Sequence, residues 1–302
     1  MKALVLGGRG FIGGHVVDAL VSAGHQVRIL DRAPESIGPT QTGVDFFYGD
    51  FADKALVYEA ASGVDVVYHL ISTTVPSTSN LDPVADVAGN IIPTLGLLSC
   101  MVELAIPKIV FLSSGGTVYG IPDELPIQED HPLRPRCSYG VVKVAIENYL
   151  TMFQQLYGLD RVVLRAANPY GERQGHFGVQ GVINTFLLNA RARKPTEVWG
   201  DGSVVRDYLY VGDLANLCVK VGERGITGIY NAGSGMGRSI TDVVTVIERV
   251  IGRALDLQYM PSRSYDVPEV ILDVSKAQRE LGWWPQIDME DGLDRVWASL
   301  NK

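Results

Sequence analysis

The chain has 302 residues, is 46% hydrophobic and 20% charged, and carries a net charge of −8. That balance supports a large buried core, in one domain or two closely packed ones, and excludes a disordered chain; the negative charge argues against nucleic acid or an anionic membrane as partner. No apolar stretch reads as the roughly 18 residues of a membrane span, the start is too short in apolar residues for a signal peptide, and Cys100, Cys137 and Cys218 are too widely spaced for a disulfide framework or a zinc site. A cytoplasmic protein with reduced thiols is expected.

The first element is the apolar run Ala3-Leu4-Val5-Leu6, a buried strand over 2–6, followed by Gly7-Gly8-Arg9-Gly10-Phe11-Ile12-Gly13 and a helix pattern over 11–23. Such a turn places a helix's free amides, those of Phe11 and Ile12 among them, and the positive end of its dipole before a pyrophosphate. A second strand over 26–31 ends in Asp31, about twenty residues beyond the glycines, where a carboxylate accepts ribose hydroxyls and repels a 2′-phosphate. NAD is favoured over NADP, with Arg28 and Arg32 leaving NADP open.

Helix and strand patterns then alternate over 53–61, 64–71, 90–105, 108–114 and 138–157, with another strand over 161–165 after the turn at Gly158. The rhythm predicts an α/β fold: a doubly wound parallel (Rossmann) sheet over 1–168, with a segment near 204–232 returning to it. Residues 169–302 predict a smaller mixed α/β substrate-binding domain, with a short strand over 197–199 and a helix opened by the capping-box pair Ser239 and Asp242. Two helices carry apolar residues almost all round, Leu95 to Leu104 in one and Val141 to Phe153 in the other. A homodimer interface is the preferred explanation of that surplus, burial under the second domain the alternative.

Tyr139 and Lys143 lie four apart on the helix over 138–157 and share one face. An ammonium there, aided by an oxidised nicotinamide, lowers the cost of a phenolate, which makes Tyr139 a candidate base. The spacing occurs often by chance; the dinucleotide turn and the strand end Phe111-Leu112-Ser113-Ser114 argue for the functional meaning. His69, inside an apolar strand, reads as a hydrogen-bonded core histidine.

At these residues the chain resembles the extended short-chain dehydrogenase/reductases, and among them the nucleotide-sugar epimerases of the UDP-hexose 4-epimerase kind. The resemblance runs nearly end to end. It rests on Gly7, Gly10 and Gly13, Gly49-Asp50-Phe51, His69-Leu70, Asn90 opening its helix, Ser114 before Val118-Tyr119-Gly120, Tyr139 with Lys143, Arg165 to Asn168 with Tyr170-Gly171, Val205-Arg206-Asp207-Tyr208, and Arg263 to Asp266. It implies NAD as cofactor, held by Gly7, Gly10, Phe11, Ile12, Gly13, Asp31, Arg32, Leu70, Ile71, Ser72, Asn90, Tyr139 and Lys143, with Asp50 and Phe51 flanking the adenine. It implies a UDP-sugar as partner, its diphosphate gripped by Asn168, Arg206 and Arg263 near Asp266, and its uracil lined by Val198 and Trp199, with Val182 nearby. For either arginine, surface pairing to Asp207 or Asp266 reads equally well; Asn168 before Pro169 has a conformational explanation, and Trp199 a core one.

The implied reaction is epimerisation at C4 through a 4-keto sugar, with Tyr139 as base, Lys143 beside it, and Ser114 hydrogen-bonding the same oxygen. Counting back from Tyr119 places that hydroxyl at Gly115, so Thr117 is held in reserve. The loop Thr73 to Ser79 is unusually rich in hydroxyls and is expected to line the cofactor or sugar. Val270, at a position where bulk restricts N-acetylated sugars, implies room for UDP-GlcNAc. UDP-glucuronate is a further candidate. A dehydratase needs an acidic pair where Gly115 and Gly116 stand. A nucleotide-keto-sugar reductase of the same fold remains the enzymatic alternative, and a noncatalytic dinucleotide-binding redox sensor the alternative from another class.

Overall fold

The computed structural model describes residues 1–32, 43–175, 181–223, 225–262 and 267–301. In chain order the elements are β1 (Lys2–Leu6), α1 (Phe11–Ser22), β2 (Gln26–Asp31), β3 (Val44–Tyr48), α2 (Lys54–Ala61), β4 (Val66–His69), α3 (Pro83–Glu103), β5 (Lys108–Ser114), α4 (Ser138–Tyr157), β6 (Asp160–Ala166), β7 (Asn168–Tyr170), α5 (Val182–Ala192), β8 (Thr196–Trp199), β9 (Val205–Tyr210), α6 (Val211–Val221), β10 (Gly228–Ala232), β11 (Gly237–Ser239), α7 (Ile240–Ile251), β12 (Leu257–Met260), β13 (Glu269–Val270), α8 (Ser275–Leu281) and α9 (Met289–Leu300).

The chain forms two compact units. Met1–Gly120, Pro132–Arg165 and Ala215–Tyr230 make the first; Ile121–His131, Ala166–Leu214 and Asn231–Lys302 make the second. The returning segment is thus shorter than 204–232, and a further piece, 121–131, belongs with the second unit.

A seven-stranded sheet in the order β10-β6-β5-β4-β1-β2-β3 organises the first unit. β1 pairs in parallel with β2 on one side and β4 on the other, so the winding direction reverses beside β1. Ligands of doubly wound sheets collect at the carboxyl ends of strands flanking such a reversal. β1 and β4 are almost wholly buried, which is why both read as unbroken apolar runs. β3 has no counterpart in the sequence reading, since Val44-Asp45-Phe46-Phe47-Tyr48 is a short edge strand with only partial burial. α3 begins at Pro83, about two turns before the expected start, because Asp82 accepts from the Ala85 amide and Pro83 sits at the first turn.

α3 is the one described helix long and apolar enough to cross a membrane. It instead covers the sheet, with Leu97, Leu98 and Met101 in the core and Asp86 and Asn90 fully enclosed.

In the second unit β9 lies between β11 and β13 and also pairs with β7, while β8 pairs with β12. α5, α7 and α9 close a core of Ile183, Phe186, Leu187, Val243, Ile247, Leu293 and Val296. Ser239 and Asp242 form the expected capping box at the start of α7.

Candidate active site

The glycine turn sits at the reversal point beside β1. Gly7 has φ +80°, a left-handed conformation open to glycine at no cost, and a Cβ on Gly13 would lie 2.0 Å from the Gly7 carbonyl oxygen. These two residues let α1 press against the strand end. A Cβ on Gly10 would meet only the Gly7 carbonyl oxygen, at 3.3 Å, and otherwise open space. Gly10 caps α1 without a side-chain hydrogen bond, and the first turn holds no acid. The helix therefore offers its leading amides and dipole to an anion over an open cradle, which fits the pyrophosphate of NAD.

Asp31 closes β2 and accepts from the Arg9 amide at 3.0 Å, tying the cradle to the acidic residue expected at the ribose. Arg28 donates to the carbonyls of Ala60 and Ser62, so it is engaged at the end of α2. Arg32 pairs with Asp50 at 3.6 Å on the surface. Phe51 is buried edge-on to His69, with ring centroids 5.1 Å apart, so its ring belongs to the core and its neighbour Asp50 holds the exposed position. Leu70 donates to the Leu6 carbonyl and Ile71 packs over Gly7, which brings both beside the cradle.

The residues expected to react come from β5 and α4. Ser114 ends β5, and its side chain is hydrogen-bonded to the Tyr139 phenol. The hydroxyl of Thr117 is buried with no partner among the described residues, which separates it from this pair. Lys143, fully enclosed one turn after Tyr139, donates to the Leu112 carbonyl at 2.8 Å and stands 5.5 Å from the centre of the Tyr139 ring. Burial brings the Lys143 ammonium down to about 8, although the carboxylates of Glu147 and Asp86 oppose the shift. Burial pushes the Tyr139 phenol up to about 12, aided by Cys137 and Asp86, while the bond to Ser114 works the other way. Burial thus outweighs the lysine at this phenol, in keeping with the expectation that an oxidised nicotinamide has to aid the ammonium.

His69 donates to or accepts from Thr94 at 2.8 Å between the rings of Phe51 and Phe111, and burial lowers its pKa to about 3. It is a neutral core residue. Asn90 does not open its helix; it lies in the second turn of α3, buried, where it accepts from the Thr73 amide and donates to Thr73 and Asp86. The hydroxyls of Thr73 and Thr74 are likewise engaged with Asn90 and Asp86, so this part of the loop is tied to α3. Ser72 donates to the Thr74 carbonyl.

Within the second unit a cavity of about 270 Å³ is lined by Asn168, Val182, Val198, Trp199 and Arg206 together with Tyr170, Gln174, Phe186, Tyr208 and Ile240. Five residues named from the sequence thus meet in one place. Arg206 is anchored by the carbonyls of Val205 and Val267, at 2.8 and 2.7 Å. Asp207 is fully buried and accepts from Ser234, Gly235 and Leu272, which leaves the adjacent-residue pairing unsupported. Asn168 donates to the Asp207 carbonyl. Arg263 and Asp266 lie outside the described residues. Val270 is buried in β13, paired with Arg206. Tyr170 and Tyr208 were visible in their motifs but carried no role, and Gln174 gave no signal.

An uncapped glycine cradle at the winding reversal, with a serine, tyrosine and lysine set beneath the same sheet edge, defines an extended short-chain dehydrogenase/reductase. The chain belongs to the NAD dependent epimerase/dehydratase family, which residues 3–233 match. It is 34% identical to UDP-glucose 4-epimerase of Mycolicibacterium smegmatis over 98% of this chain and 97% of that one. Among solved structures it resembles UDP-glucose 4-epimerase of Thermotoga maritima with UDP-glucose, at a TM-score of 0.95 and 32% identity, covering 100% and 99% of the two chains. It also resembles the Thermus thermophilus UDP-glucose 4-epimerase complex with NAD, at 0.92 and 33%, with the same coverage.

Proposed function

We infer that this chain is an NAD-dependent UDP-hexose 4-epimerase acting on UDP-glucose and UDP-galactose. The observation that carries the reading is the Tyr139 phenol, bonded to Ser114 and one turn from the buried Lys143, in the same unit as the dinucleotide cradle. When bound, NAD supplies the two-electron oxidation of C4 and its reversal. Tyr139 takes the C4 hydroxyl proton and later returns it, with Ser114 holding the same oxygen and the Lys143 ammonium favouring the phenolate. Asn168 and Arg206, with Arg263, hold the diphosphate while the 4-keto sugar turns; Val182, Val198 and Trp199 receive the uracil. The roles of Leu70, Ile71, Ser72, Asp31 and Asn90 are to shape the dinucleotide site.

The test is incubation with UDP-glucose, UDP-GlcNAc and UDP-glucuronate in the absence of reductant. The C4 epimer of UDP-glucose, with no net NADH, is expected. A reduced sugar formed only with added NADPH would select the keto-sugar reductase, and binding without turnover the redox sensor. The chain is further proposed to form a homodimer through α3 and α4, on whose outer faces Val84, Ile92, Val102, Val141, Met152 and Leu156 stand exposed. Three free thiols, Cys100, Cys137 and Cys218, suit the reducing cytoplasm.

A further inference from the structure

Asp86 is completely enclosed, and each of its carboxylate oxygens has an assigned donor. Oδ1 accepts from the Thr74 hydroxyl at 2.6 Å and from the Asn90 amide at 2.9 Å; Oδ2 accepts from the Ser138 hydroxyl at 2.6 Å. Ser138 opens α4 and immediately precedes Tyr139, and its own amide donates to Asn80 at 2.8 Å. Thr73 closes the same cluster through Asn90, and it comes this near α3 because residue 89 is glycine: a Cβ there would stand 2.7 Å from the Thr73 hydroxyl. The cluster thus joins the loop that follows β4, the first two turns of α3 and the first turn of α4.

We propose that Asp86 is a positioning residue for the epimerisation, its buried carboxylate fixing the first turn of α4, and with it Tyr139, to the loop that borders the dinucleotide cradle. A buried carboxylate is costly unless fully bonded, so one retained beside a reactive pair has a use. Three short bonds from hydroxyl and amide donors hold its carboxylate in place, and its charge is felt at both Tyr139 and Lys143. The other charged or titratable groups acting on that pair are Glu147 from α4 itself and Cys137 at its start, while neutral His69 faces Lys143 from β4. Asp86 differs from Glu147 in its partners: Glu147 is bound to Arg165 at 2.7 Å, which offsets its charge, whereas among the described residues Asp86 has only neutral donors. The negative charge of Asp86 therefore opposes loss of a proton from the Tyr139–Lys143 pair and delays phenolate formation until a cation is in place.

The inference rests on the proposed epimerase reading and is tested with the full chain. In Asp86→Asn the kcat for UDP-glucose should fall about tenfold while KM stays within about twofold, and the acid limb of the pH profile should move about one pH unit lower. Loss of rate with the limb unmoved would reduce Asp86 to a structural role and overturn the proposal, as would an unchanged rate. Should Asp86→Asn fail to fold, Ser138→Ala keeps the charge and removes the link to α4; about tenfold loss of kcat at constant KM is expected, and a native kcat overturns the proposal. If the native chain epimerises no UDP-hexose, the functional reading fails on its own. The Asp86 proposal is then decided by the ultraviolet titration of Tyr139, taken as native minus Tyr139→Phe, whose midpoint must drop in the Asp86→Asn background.

Discussion

The side chains at the reactive centre are set against one another by burial. A working Tyr139–Lys143 pair carries a phenolate and an ammonium, and so holds one proton between them. With Lys143 brought down to about 8 and Tyr139 pushed up to about 12, the pair passes from two protons to one as pH rises through about 8, and the phenolate–ammonium form is a fraction of that one-proton state. kcat/KM for UDP-glucose should therefore climb from the acid side, reach half its plateau near pH 8 and level off above about pH 9; a profile already flat from about pH 6 contradicts this assignment. His69 makes a separate prediction for stability. Its folded value near 3 lies below the ordinary 6.5, so between these limits the unfolded chain binds a proton that the folded chain refuses. Stability is fully present above about 6.5 and falls as pH drops toward 3, and urea unfolding at pH 7 and pH 5 should register the loss in the native chain. These residues were legible in the sequence because motif and spacing announce them. Asp86 was not, because a lone acid in an apolar helix gives no sign that Thr74 and Ser138 from other segments will join Asn90 of its own helix around it.

At the scale of elements, the strand, glycine turn and helix at the start were readable to within a residue, since Gly7 and Gly13 are demanded by backbone geometry that the sequence states directly. Gly13→Ala should overpack the contact with the Gly7 carbonyl, costing about 1–3 kcal/mol and sharply weakening NAD binding in a fluorescence titration. Ordinary stability with native affinity would show that α1 can move away. The start of α3 was placed late because its signal, Asp82 followed by Pro83, lies in a loop crowded with other turn residues. β3 escaped notice because an edge strand with mixed burial lacks both alternation and an unbroken apolar run. The capping box of α7 was plain from Ser239 and Asp242 alone, and Ser239→Ala should lower unfolding free energy by about 1 kcal/mol without changing kcat.

For the whole molecule, alternation of strand and helix was enough to establish the doubly wound sheet, and the change of pattern after Asn168 was enough to announce a second unit. The passage of 121–131 into that unit was not legible, because its residues form no regular element that a period would reveal. The apolar outer faces of α3 and α4 predict a dimer at micromolar concentration by sedimentation, converted to monomer by Ile92→Glu with Val141→Lys; a native chain that sediments as a monomer removes that assembly. The account as a whole stands on the Tyr139 oxygen as the group that exchanges a proton with the sugar. Its most direct test is the interconversion of UDP-glucose and UDP-galactose by Tyr139→Phe, with binding of NAD checked on the same preparation. A fall in kcat of about a hundredfold or more with NAD retained is the predicted result, and inversion at the native rate would contradict it.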